Sequence, residues 1–386
     1  MSFKLKPVEG KDFVDRKDLL NEMLSDLKDP ENNVGYALYG KRRVGKTSIL
    51  KEIRRRLVEE DGIVTIYFSL WDLLEDRLSD FVRQFTAEIL EGFKPHLGLT
   101  HKAKNLLKAP LSIIKETIRN MDIGVKLQED IEILLTFEDS SENLDYLLEN
   151  AFNLPENLAK KTGKKCILLI DEFPSIMDLK NGERLGEGIV RKIRTIHEGQ
   201  RNVALCISGS IRKTMSIVAL SPASAFYRQL VMREIKPLEK EHVRELFLRN
   251  MGESIGTIDE DVIEGIYDFS GGIPFYIQFI GRILGKYDRI DTAALNSAIA
   301  EFLEQEGNIL FKEELETLST KEKKILVAIA SGIHTPTKIA KFNNDKQPII
   351  SRFLFYLEEK GYVTRQKKGH YVIDDPVFER WLKGRF

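Results

Sequence analysis

Eight residues constrain this chain more than any others: Gly40-Lys41-Arg42-Arg43-Val44-Gly45-Lys46-Thr47, set between the apolar run 34–39 and the helical stretch SILKEIRRRLVEE. The spacing G-x-x-x-x-G-K-[ST] predicts a strand, a glycine loop and a helix in that order. The glycines let backbone N–H groups turn inward around phosphate oxygens, and the following helix points its positive end at them. Gly40, Arg42, Arg43, Val44, Gly45, Lys46, Thr47 and Ser48 then form the cradle of ATP or ADP. Lys46 is expected to reach the β- and γ-phosphates, and the Thr47 hydroxyl to ligate Mg²⁺. A chance match in a chain of this composition is on the order of 1%.

The rest of the pattern fits that beginning. Residues 63–70 (IVTIYFSL), 165–171 (KCILLID), 202–208 (NVALCIS) and 229–235 read as strands alternating with helices. The expected class is therefore α/β, a P-loop core built on a parallel sheet covered by helices on both faces. Asp171 closes the buried run CILLI at the carboxyl end of its strand, where ligands of open α/β sheets sit, and Glu172 follows it. Asp171 is expected to hold Mg²⁺ and Glu172 to polarise the attacking water. Beyond the next strand, Ser208-Gly209-Ser210 is either a plain turn or a γ-phosphate sensor, with Ser210 the preferred side chain. Within an insertion at about 94–137, the runs MDIGVKL and IEILLTF are expected to form a small hairpin.

Composition adds limits. The chain has 386 residues and two cysteines, Cys166 and Cys206, both in apolar stretches. A disulfide framework or a cysteine metal site is not expected. No run approaches the ~18 apolar residues needed to cross a bilayer. The start MSFKLKPVEGKDF lacks the apolar core of a secretory signal. A cytoplasmic protein without a membrane partner is expected. The net charge of −1 hides a split. Residues 319–386 carry 14 Lys and Arg against 7 Asp and Glu, which is +7 and leaves −8 for the remainder. From residue 237 to about 317 the pattern is wholly helical. The basic end then reads as three helices and a strand pair. The expected domains are a core over 1–236, a helical lid over 237–317 and a winged helix over 318–386.

Together these residues resemble the archaeal P-loop ATPases of the STAND superclass, signal-transduction ATPases with numerous domains. Phe13-Val14-Asp15-Arg16-Lys17-Asp18-Leu19-Leu20 looks like that family's F-V-x-R-x-x-E-L element, with the acidic position one residue early. The resemblance implies that Phe13, Val14 and Arg16 lie near the adenine. Gly271-Gly272-Ile273-Pro274 resembles the G-x-P motif of the lid, which implies that Pro274 contacts the nucleotide. The segment 221–228 looks like one that ends in Tyr-Gly-Arg, but the glycine is missing; Arg228 either approaches the γ-phosphate or pairs on the surface. The tail 371–381 resembles the family's tail, in which Asp-Pro starts a last helix.

In the basic module, Lys346, Gln347 and Arg352 lie where a recognition helix would meet a groove, and Arg365, Lys367, Lys368 and His370 lie on the ribbon. Duplex DNA is the favoured partner of 318–386, with a protein-binding arm as the competing reading. A protein partner through the lid, the winged helix or the insertion also stays open, as does the oligomeric state. The expected activity is a slow ATPase switch that couples nucleotide state to the winged helix. The alternative is an ADP-locked interaction scaffold with negligible turnover.

Overall fold

The computed structural model describes residues 2–98, 103–138, 144–210, 215–252, 258–367 and 369–385. Among the described residues, seven strands belong to the first part of the chain: β1 (Gly35–Tyr39), β2 (Ile63–Ser69), β3 (Lys165–Asp171), the two-residue pair β4 (Lys180–Asn181) and β5 (Glu183–Arg184), β6 (Val203–Gly209) and β7 (Leu230–Glu234). Five of them form one parallel sheet in the order β2-β3-β6-β1-β7. Alternate residues face opposite sides. Tyr36, Leu38, Ile167 and Leu169 pack against the helices Lys17–Lys28 and Lys46–Leu57. Ile66, Leu168, Ile170 and Leu205 face the helices Leu78–Leu97, Leu144–Thr162 and Glu187–Glu198. Burial on both faces explains why these strands read as continuous apolar runs. Cys166 and Cys206 are free, buried in adjacent strands, and burial pushes both thiols up. The α/β expectation holds, and β6 lies between the loop-bearing and carboxylate-bearing strands.

The expected hairpin in the insertion is corrected. Residues Val125–Thr136 form a helix, following the helix Leu111–Arg119. Leu127, Ile131, Leu134 and Leu135 recur at helical spacing and reach the same core as the sheet. Gly124, at φ 86, makes the turn that separates Met121 and Ile123 from the helix. The residues expected to turn between the two runs, Gln128–Asp130, lie inside this helix, and Gly124 precedes its start.

After β7 come five helices, Lys240–Met251, Glu260–Ser270, Pro274–Leu284, Thr292–Glu304 and Glu306–Glu316. The last part holds Thr320–Ala330, Pro336–Asn343 and Gln347–Glu359, then β8 (Val363–Lys367) and β9 (His370–Ile373), then Pro376–Lys383. Ser319 and Glu322 close a capping box at the first of these helices. Asp375 caps the final helix by accepting from the N–H groups of Val377 and Phe378. The expected boundary near residue 317 is not a seam in the packing. One apolar core runs from Val243 and Phe269 through Phe311 to Phe378 and Trp381. Phe311 sits 5.2 Å from Phe378 and 5.7 Å from Trp381, centroid to centroid. The helices over 237–317, termed the lid below, thus share one core with the basic module. Among the described residues no helix is long and apolar enough to cross a membrane.

Candidate functional site

At the end of β1 the chain turns through Gly40 at φ 150, Arg43 at φ 65 and Gly45 at φ 102 before entering the helix Lys46–Leu57. Lys46 is buried, and its ammonium donates to the carbonyls of Gly40 (3.0 Å) and Lys41 (2.8 Å), so it closes the loop on itself. Burial lowers its pKa to about 8, although Glu172 and Asp171 pull the other way.

The two carboxylates stand opposite. Asp171, 3% exposed, accepts from Thr47 Oγ1 at 2.7 Å and from the Tyr67 hydroxyl at 3.0 Å, while Ser208 Oγ donates to its other oxygen. Ser208 Oγ also accepts from the Glu172 N–H at 3.2 Å. Glu172 turns away from the strand direction at φ 50, and its Oε2 accepts from Ser210 N–H (3.3 Å) and Ser210 Oγ (3.1 Å). Burial raises its carboxyl, against the pull of Lys46. Thr47 and Asp171 together present hard oxygen donors at one point beside the loop, which fits a magnesium ion. Tyr67 was missed by sequence reasoning, and Ser208, weighed there as a sensor behind Ser210, instead braces Asp171 and Glu172. Serine and tyrosine at strand ends are common, and only the strand order brings β2 and β6 to either side of Asp171.

The loop, Glu172 and Ser210 line a cleft of about 390 Å³, closed on the far side by Pro274, Phe275 and Gln278 of the lid. Pro274 begins its helix, after Gly271 (φ 56) and Gly272 (φ 73). A Cβ on Gly272 would strike the Leu238 carbonyl, whose own N–H donates to Gly272 O at 2.8 Å. This glycine therefore fixes the lid against the segment that leaves β7. Phe13, Val14 and Arg16 line a smaller cavity that shares Gly45, Ser48, Pro274 and Gln278 with the cleft. Phe13 packs with the core under the P-loop helix and Val14 with the lid core, so this short segment bridges the two bodies. Arg16 donates to the Lys236 carbonyl and lies 3.6 Å from Asp15. Arg228 is not among the residues that line the cleft. It is exposed, at φ 62, with its guanidinium 5.4 Å from the Tyr227 ring.

The outer side of the same loop grips the lid-and-module body. Arg43 donates to the Tyr276 hydroxyl at 3.0 Å, lies 3.4 Å from Glu314, and stacks over Phe275 at 5.2 Å. Tyr276 in turn donates to Asp375, the cap of the last helix. Lys41 donates to the Asp374 carbonyl at 2.7 Å, and Arg42 lies 3.7 Å from Glu314. Residues 1–236 carry 38 Lys and Arg against 36 Asp and Glu, and residues 237–386 carry 21 against 24, in keeping with a junction where the core supplies the cations and its partner body the acids.

Residues 13–280 match the family described as an ATPase domain predominantly from Archaea. Among relatives, MJECL04 of Methanocaldococcus jannaschii is 33% identical over 222 residues, 55% of this chain and 47% of that protein. This chain therefore spans under half of that relative. The same organism's ATP-binding protein MJ0439 is 23% identical over 376 residues, covering 92% of this chain and 93% of its own length. In fold, the chain is similar to the Walker-type ATPase paby2304 of Pyrococcus abyssi, with a TM-score of 0.72 at 19% identity over 99% of this chain and all of that one. The ORC2 protein of Aeropyrum pernix, in its ADPNP–ADP complexes, follows with 0.56 at 14% identity, covering 95% and 89%. The family match spans well over half of the sequence and contains the loop, both carboxylates and Pro274: the chain belongs to this family of ATPase domains found predominantly in Archaea.

Proposed function

We propose that the chain binds and hydrolyses ATP in the cleft between sheet and lid, and that the state of the nucleotide is passed to the C-terminal module. The observation that carries this reading is one cleft lined by Lys46, Thr47 and Glu172 from the core and by Pro274 and Gln278 from the lid. ATP phosphates would take over the Lys46 hydrogen bonds now made to its own loop. Thr47 and Asp171 would hold Mg²⁺, which supplies charge neutralisation on the phosphates. Glu172 accepts a proton from the attacking water, and Ser210 positions Glu172. The contacts of Arg43 with Tyr276 and Glu314 make the loop's conformation part of the lid's resting place. Because lid and module share a core, they move together, in keeping with a STAND-type switch in which differential contacts in two states drive the shift.

Steady-state phosphate release with Mg²⁺-ATP tests the enzyme, and a slow but measurable rate is expected. ADP retained through purification with no release would favour the nucleotide-locked scaffold instead.

We read the module as a winged helix, a reading that the order of three helices followed by the β8–β9 ribbon supports. Lys346, Gln347, Arg352, Arg365 and Lys367 are exposed, and none is in an ion pair among the described residues; His370 is half-buried, and Lys368 lies outside the described residues. The exposed cations Lys346, Arg365 and Lys367, with Arg352 over the Phe353 ring, support duplex DNA as the partner. Phe355 (55% exposed) and Tyr356 (41%) on the same helix support the competing protein partner. A salt titration decides between them. DNA binding should weaken steeply with salt, with a slope shallower by roughly 1 for each of Arg365→Ala and Lys367→Ala. Absence of binding at low salt would leave the protein arm.

A further inference from the structure

The N-terminal residues cross the mouth of this cleft, and nothing in the phosphate chemistry uses them. Residues 4–8 line it together with Lys46, Glu172 and Gln278. Both ends of the crossing are tied, each to a different body. On the lid side, the Ser2 N–H donates to the Asn250 carbonyl at 2.8 Å, and the Lys4 N–H donates to Gln278 Oε1 at 2.9 Å. The Phe3 ring lies 5.5 Å from that of Phe247 and is seated on Gly281, where a Cβ would collide with it. On the core side, the Val8 N–H donates to Ser48 Oγ at 3.1 Å and the Gly10 N–H to Glu52 at 2.7 Å.

The two anchors are unequal. Glu52 is 1% exposed; burial pushes its carboxyl up, but hydrogen bonds from Arg55, the Gly10 N–H and Arg56 outweigh this and hold it at about 2. That end is a buried, charge-assisted attachment. The lid end rests on hydrogen bonds from two backbone N–H groups and one half-buried ring, with Ser2 exposed, while the Lys4 ammonium pairs with Asp12 across the Gly10 turn. Gly10, at φ 65, supplies a turn beside the strong anchor. The geometry points to residues 2–8 as a nucleotide-exchange gate: the strap hinges near Gly10, and its Phe3 end must leave the lid before a purine nucleoside di- or triphosphate can enter or depart. The inference rests on nucleotide occupying the cleft. Lys4 has a second role in the latch. By giving its N–H to Oε1 of Gln278, it fixes that amide's orientation, so that releasing the strap also frees a cleft-lining side chain.

The test is stopped-flow kinetics of a fluorescent mant-ADP on the full chain, in Phe3→Ala and Gly281→Ala. Gly281 lies within the helix Pro274–Leu284, where alanine is the better helix former, so the second variant unseats the ring without weakening the lid. Each variant is expected to raise both the association and dissociation rates about tenfold, the loss of one modest contact, while Kd moves much less. The double variant should match the singles, because they remove one contact. A rise in dissociation alone would make the strap an ordinary wall of the site and overturn the gate. Unchanged rates in both variants would overturn it as well. A wild-type chain that fails to bind mant-ADP would instead overturn the nucleotide assignment beneath it.

Discussion

Glu172→Gln is expected to release phosphate at a rate about 10²–10⁴ below wild type, the usual contribution of a positioned general base. The substitution keeps the shape of the side chain and an oxygen to accept from Ser210, now at 3.1 and 3.3 Å, so the loop and β6 stay in place. It removes only the basicity. ATP affinity should be unchanged or slightly higher, because a negative charge facing the phosphates is gone. The prediction has an internal control in pH. Burial raises the wild-type carboxyl above its ordinary value, so the acid limb of wild-type turnover should lie above the usual glutamate range, and the variant should lose that limb. Measured together, kcat and Kd separate a catalytic role from a binding one: a variant that loses affinity and rate in parallel would assign Glu172 to holding the nucleotide.

Much of this site was legible because its parts are local in sequence. The loop declares itself within eight residues, and Asp171-Glu172 announces a strand end through the apolar run before it. What escaped depends on contacts between distant segments. Tyr67 reaches Asp171 from β2 and carries no spacing that marks it, and Ser208, noticed beside the preferred Ser210, reaches it from β6. The strap is harder still, since its partners Asn250, Gln278 and Gly281 lie far along the chain and its own residues have no period. The insertion misled for a different reason. Short apolar runs on either side of Gln128–Asp130 suit a strand pair as well as a helix, and the i, i+4, i+7, i+8 spacing of Leu127, Ile131, Leu134 and Leu135 decides between them only when the window includes both runs. The charge sum of the basic module did not mark the junction. A total of +7 says nothing about Asp374 and Asp375, and these are the residues that the loop's Lys41 and, through Tyr276, Arg43 meet.

Lys46→Ala is expected to weaken ATP binding by roughly 10²-fold, in the range found when one partner of a buried, hydrogen-bonded charge pair is removed. The wild-type lysine makes a sharper prediction through pH. In the empty loop burial lowers its pKa to about 8, so the amine is charged below that pH and increasingly neutral above it. Phosphate favours the charged form and raises the pKa in the complex. Binding therefore takes up a proton above pH 8, and affinity falls as pH rises, by up to about tenfold per unit until the pKa of the complex is reached. The terminal phosphate does not confuse the reading, because its second ionisation, near about 6, is complete in this range. Isothermal titration at pH 7.5, 8.5 and 9.5, in buffers of different ionisation enthalpy, measures both the slope and the proton. Wild type should show the decline and the uptake, and Lys46→Ala should show neither. A flat wild-type profile would mean that the ammonium keeps its charge in the empty site, held by Glu172 and Asp171 more strongly than burial opposes it.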